Sequence, residues 1–498
     1  NAFQVKLLPE DADPMDVRYN LVQWVHRSSR GWSYGGGVTD PRTGEILKGK
    51  VTLGSLRVRQ DYLIAQALAG NFDAANPENA VLMDMALARM RQLAAHEVGH
   101  TLGLPHNYIA SAKGLTSVMD YPHPYLSIKN GAIDLSNAYE EGIGSWDIVA
   151  IKMAYASIPE GLEEQEVMDQ WVGEYLAQGL DFLSDKDGRP AGSAHPKTHL
   201  WDNGTDPVAQ LAHVLEVRKI ALDDFGLKNI SKGMPLAKLE ELLVPIYLLH
   251  RYQVEAASKV IAGVNYGYTV KGDARESHQV VSRKRQLDAL NQLLQTLKPE
   301  TLSIPLSILQ KIPPRPYGYA PDEREVFKRH TGLVFDPLAP AEIAAHHTLT
   351  FLFHPERASR LVAQSALDVQ QLRLDEYLDD IIEATWKGRS LSGYSAEIKR
   401  SVEKLVLQHL MELATNPAGS VQVRAISMAK AMALKDWIGM RKNGDFAQIA
   451  HRAYCLHQLK KFQKDSNDKF KLLEPLAAPA GSPIGQSDEY GGTPCFVY

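Results

Sequence analysis

Cysteine is nearly absent from this sequence, with only Cys455 and Cys495 in 498 residues. Two thiols cannot build a disulfide scaffold. They leave room for one bridge in an oxidising compartment or for two free sulfhydryls. Long apolar runs are missing too, and no stretch is long enough to span a bilayer. Positive charge is not in excess, since 54 Lys and Arg face 59 Asp and Glu for a formal net charge of -5. That balance argues against nucleic acid as the main partner, because phosphate binding needs a basic face. The chain opens on Asn1 with no basic segment followed by an apolar one, and it reads as a processed or truncated piece of a longer precursor. What remains is an ordinary globular balance, 44% hydrophobic and 23% charged, on a chain too long for one core. Two or three domains are expected.

The first stretch reads as strands and turns. Tyr19 to Val25 is rich in β-formers, and Glu45 to Ser55 reads as a second strand, the two together suggesting a hairpin. Between them lie the glycine-rich Ser33 to Val38 and the turn signal Asp40-Pro41-Arg42-Thr43-Gly44. A long helix is expected over Ala80 to Leu102, capped by Asn79 and ended by Gly103. Another is expected over Trp146 to Tyr155, before a boundary at Pro159-Glu160-Gly161. From there to about Leu473 the chain reads as almost entirely helical. The candidate helices are Pro207 to Phe225, Leu236 to Val260, Glu276 to Leu297, Pro340 to Val362, Ala366 to Trp386, Ala396 to Thr415, Val421 to Ile438 and Phe446 to Asp465. A Pro-rich stretch, Ile312 to Pro321, divides them, and Pro475 to Tyr498 reads as extended.

The chemistry lies in His96-Glu97-Val98-Gly99-His100-Thr101-Leu102-Gly103-Leu104-Pro105-His106. Two histidines four apart on a helix share one face, so their imidazoles can share one metal. Gly103 permits a positive φ that brings His106 back as a third ligand. Three imidazoles and an open position suit a catalytic zinc, one per chain. Glu97 sits beside the metal rather than on it, where it can act as general base toward a water made acidic by the ion. Such a combination at fixed offsets arises by chance on the order of 10⁻⁴ per chain, so incidental histidines are a poor explanation.

These residues resemble the extended zinc signature of the metzincin metallopeptidases. Ser117-Val118-Met119-Asp120-Tyr121 matches that family's methionine turn, which implies that Met119 floors the metal. The resemblance also implies that Tyr121 contacts the metal or the transition state, as a catalytic residue beside Glu97. Asp147 to Tyr155 resembles the family's last catalytic-domain helix. The region before the active-site helix resembles the part that holds its substrate-binding edge strand, with Ser33, Tyr34, Gly35, Gly36, Gly37 and Val38 as the candidate segment. The chain as a whole is similar to bacterial zinc metalloproteases that carry a long helical region after the peptidase unit, which implies a periplasmic or secreted location. Asn107 follows the third histidine where the better-known branches carry other residues, so no branch is assigned.

Two other clusters are weaker. Asp202, Asn203 and Asp206 could bind calcium, but a cap on the helix from Pro207 explains them better. His346, His347 and His354 do not converge at helical spacing. The expected fold is therefore α+β. A metzincin-like catalytic domain over residues 1–158, with a twisted sheet and the active-site helix, precedes a large all-α region over 159–498, which can divide again near 305–340. The expected function is zinc-dependent hydrolysis of peptide bonds in a peptide or protein substrate. A zinc amidase acting on cell-wall peptides is a rival, as is a zinc-stabilised binding protein without activity. The intact Glu97 counts against the last.

Overall fold

The computed structural model describes residues 4–26, 33–73, 79–272, 275, 277–319, 326–464 and 474–479. Three strands form the sheet that carries the site: β1 (Leu21–Val25), β2 (Tyr34–Thr39) and β3 (Ile46–Gly54), in the order β1-β3-β2. β1 runs parallel to β3, and β2 runs antiparallel to it. The two strands expected to pair as a hairpin are therefore parallel neighbours. The hairpin is made instead by the glycine-rich segment and β3. Asp40 and Gly44 close its turn, with Gly44 N–H donating to Asp40 O at 2.9 Å and Gly44 at φ 77°. Parallel pairing needs an intervening connection, and here that connection is β2 itself.

β2 is an edge strand lying against α2 (Ala80–Thr101), the helix that carries His96 and His100 and follows α1 (Ser55–Ala69). The glycines permit this closeness. A Cβ on Gly35 would stand 2.0 Å from the Glu97 carbonyl oxygen, and one on Gly49 would stand 2.9 Å from Thr101 Cβ. Val51 and Leu53 of β3 pack on Met90 and Leu93 of α2 between these contacts.

After α2 come α3 (Ser145–Tyr155), α4 (Glu164–Ala177), the single turn α5 (Asp185–Gly188) and α6 (Pro207–Asp224). The helices at 393–415, 421–439 and 446–464 follow the expected spans within a few residues. Leu236 to Val260 is two helices, Lys238–Tyr247 and Arg251–Ser258, with Pro245 in the first. Pro340 to Val362 also breaks, because Pro355 starts a new helix and disfavours helical backbone in the residue before it. Glu276 to Leu297 is helical only from Arg283. Its start is a strand, His278–Val280, paired with Val264–Tyr266. Among the described residues after 159 the regular elements are helices apart from one short hairpin, with non-helical stretches such as most of 178–206 between them. α1 lies where no helix was expected, and α4 lies in the stretch read as helical but outside the named candidate helices.

One apolar cluster joins Ile64 of α1 and Leu82 of α2 to Leu243, Leu293, Leu405 and Phe462. Cys455 is buried in it, and Cys495 lies outside the described residues, as does most of the extended tail. Among the described residues no helix is long and apolar enough to cross a membrane.

The close approach of β2 to α2 yields a paired expectation. Gly35→Ala should lower the melting temperature, because its Cβ meets backbone that cannot yield. Gly36→Ala, whose Cβ would meet nothing within 4 Å, should melt like the wild type. Equal melting of the two variants by calorimetry would contradict the described packing.

Candidate metal centre

α2 ends in a tight reversal. Gly103, at φ 82°, donates to His100 O at 3.0 Å, and Leu104 N–H donates to Gly99 O at 3.1 Å. This is the paired-bond Schellman ending of a helix. It turns the chain so that His106 returns to the two histidines of the helix. One nitrogen from each of His96, His100 and His106 lies within 4.8 Å of the others, and all three residues are buried. Among the described residues no other group of three His, Cys, Asp or Glu side chains could hold a metal.

Each ring is oriented through Nδ1. His96 Nδ1–H faces Val118 O at 2.6 Å, and His100 Nδ1–H faces Leu104 O at 2.9 Å. His106 Nδ1–H faces the Asp185 carboxylate at 3.0 and 3.2 Å. That leaves Nε2 of each ring as the ligand atom, and Nε2 of His96 and His100 are 3.0 Å apart. Burial, with mutual repulsion among the rings, pushes His96 well below the usual histidine range and His100 down to about 4. Burial lowers His106 as well, against the pull of Asp185. Neutral imidazoles are the ligating form. The donor set therefore fits zinc.

Glu97 lies between the histidines in sequence and is 2% exposed. Its Oε2 is buried with no hydrogen-bond partner among the described residues. Burial pushes the carboxyl up to about 8, against the attraction of Arg89 and a hydrogen bond from the Gly35 amide. A cation in the neighbouring cage favours the ionised form.

The methionine turn packs against α2 at Gly99. Met119 is fully buried, and a Cβ on Gly99 would stand 2.3 Å from its sulfur. A side chain at that helix position would push the methionine aside. The turn is fixed by Asp147 of α3, which accepts from Ser117 Oγ at 2.6 Å, Val118 N at 2.8 Å and Gly144 N at 2.7 Å. Tyr121 follows, with its ring centroid 5.1 Å from His96 and 4.9 Å from His106. It stacks on Trp201 at 4.7 Å.

The six residues of the candidate substrate strand divide. Ser33 is buried and accepts from Gly54 N at 3.1 Å, and Gly35 is buried against Glu97. Tyr34, Gly37 and Val38 are exposed, and Gly36 is half-buried. Asp206 caps α6, accepting from Val208 and Ala209 amides, while Asn203 is buried and donates to His123 and Pro124 carbonyls. His346 pairs with His409, and His347 with Glu255.

Four residues of the centre had no signal in the sequence: Tyr108, Asp185, Arg189 and Trp201. Arg189 pairs with Asp185 and donates to Tyr108 Oη at 2.6 Å. Its guanidinium lies 5.5 Å from the Tyr121 ring centroid. The spacing around Asp185 marks only a helix start, since Ser184 and Asp187 form a capping box. Its tie to His106 crosses 79 residues and belongs to the fold alone.

No curated protein and no solved structure matches the chain. A family profile described as Met-zincin matches residues 78–392, a span that takes in α2, the methionine turn and the Asp185 segment. That match covers more than half of the sequence, and the chain belongs to the Met-zincin family.

Proposed function

We propose that this chain is a zinc-dependent metalloendopeptidase acting on peptide or protein substrates in the periplasm or outside the cell. The observation that carries the reading is a buried cage of three neutral imidazoles with a partnerless carboxylate oxygen of Glu97 beside it. Family membership supports the zinc peptidase class.

His96, His100 and His106 would hold the ion through Nε2, the nitrogen left free of their Nδ1 contacts. Zinc, when bound, supplies Lewis acidity that polarises a carbonyl and makes water acidic near neutral pH. Glu97 takes a proton at Oε2 from the attacking water and returns it to the leaving amine. Its burial keeps bulk water from competing for that oxygen, and the Gly35 amide fixes the carboxylate. Tyr121, braced by Trp201, lends its phenol to the developing oxyanion. The free edge of β2, at Ser33 to Val38, takes an extended peptide by strand addition. Met119 supports the cage from the apolar side.

Two measurements check this. Purified protein should hold about one zinc per chain, and His100→Ala should lose most of it; full retention in a triple variant lacking all three histidines would end the reading. Glu97→Gln should keep zinc and fold but cleave a demonstrated substrate at least about 10² to 10⁴-fold more slowly. Equal rates would rule out Glu97 as the base. A zinc-loaded wild type that cleaves nothing in a broad peptide library would instead favour a binding protein.

A further inference from the structure

The three candidate ligands are not held alike. His96 and His100 sit on α2, and their Nδ1 atoms meet backbone carbonyls that the zinc motif and the methionine turn bring with them. His106 stands beyond the helix end, where no helical hydrogen bonds restrain it. Its Nδ1 meets a side chain, Asp185, from a segment 79 residues away. His106 is 1% exposed, so bulk water cannot replace that acceptor.

Asp185 is itself braced. Arg189, one turn along, pairs with its other side and donates to Tyr108 Oη at 2.6 Å. The Tyr108 ring stacks on His106, with centroids 5.0 Å apart and planes 16° apart. His106, Asp185, Arg189 and Tyr108 thus close a ring of contacts. Backbone locks the two segments together. Tyr108 N–H donates to Leu183 O at 2.8 Å, and the Asn107 side chain bridges to Asp181 O and Leu183 N. This gives Asn107, unusual after the third histidine, a structural purpose.

We infer that Asp185 is the positioning residue of the third metal ligand, held in place by Arg189 and Tyr108, so that a segment beyond residue 158 completes the metal cage. The inference rests on the reading of His106 as a zinc ligand. A carboxylate accepting from Nδ1–H fixes the tautomer that presents the Nε2 lone pair to the metal, and it makes the ring a stronger donor. The competing explanation is a plain Arg189–Asp185 surface pair, since the two side chains are 33% and 36% exposed and such pairs contribute little. That explanation predicts no effect on metal binding.

The test uses the full chain, with Asp185→Ala, Asp185→Asn and His106→Ala beside the wild type. Zinc affinity is measured by chelator competition, the cobalt-substituted absorption spectrum reports ligand geometry, and melting in chelator reports the metal-free fold. Asp185→Ala should bind zinc about 10- to 100-fold more weakly, with an altered cobalt spectrum and near wild-type melting in chelator. Asp185→Asn, whose amide oxygen can still accept from Nδ1–H, should recover part of the affinity. Wild-type affinity and an unchanged cobalt spectrum in Asp185→Ala would overturn the inference. Should that variant fail to fold, Asp185→Asn decides, with weaker binding than wild type supporting the inference and equal binding overturning it. If His106→Ala binds as tightly as wild type, the ligand reading itself has failed, and the inference falls with it.

Discussion

One buried carboxylate ties the centre together. Asp147, 2% exposed, gathers the Ser117 hydroxyl and the Val118 and Gly144 amides onto its two oxygens. That grip sets the path of the methionine turn, and the turn sets nearly everything else. Val118 O orients His96 and also receives Gln92 Nε2 at 3.2 Å. Met119 O accepts from Asn107 N at 3.0 Å, fixing the chain next to the third histidine. Its sulfur fills the space that Gly99 leaves on α2. A buried ion without a counter-charge is costly, and three hydrogen bonds are what make this one tolerable.

Behind Glu97 lies a second buried polar layer. Arg57 and Asp61 pair within α1, Tyr139 Oη donates to Asp61 at 2.7 Å, and the Arg89 guanidinium lies 5.7 Å from the Tyr139 ring and 5.8 Å from Trp201. Trp201 has φ 63°, a left-handed backbone that a bulky residue adopts only under constraint. Its amide donates to Tyr121 O at 2.8 Å while its ring stacks on Tyr121. The strained residue and the tyrosine beside the histidine cage are thus held by one another.

What the sequence made legible was local. The histidine spacing, the glycine that ends α2 and the methionine turn all lie in one stretch from His96 to Tyr121, where short-range pattern can be read. Two of the three strands were also visible, and the third entered only through the family resemblance; their pairing was not visible, because pairing depends on where the chain goes between them. α1 escaped notice for a physical reason. It buries Arg57, Gln60 and Asp61 alongside Leu56, Ile64 and Leu68, so its polar and apolar positions do not separate onto two faces. Nor does it carry a side-chain cap at Gly54. Asp185 and Trp201 were hidden by distance along the chain, since no spacing rule connects a residue to a partner many elements away.

That distance has a consequence for synthesis. The ribosome delivers residues in order, and domains begin to fold as they emerge. The segments that carry the two histidines of the helix and Met119 are synthesised before residues 181–189. In the folded chain His96 and His100 face acceptors from Val118 and Leu104, close by in sequence, whereas His106 faces an acceptor made 79 residues later. A histidine cage assembled this way gains its brace only once residue 189 has been made, with 309 of the 498 residues still to come.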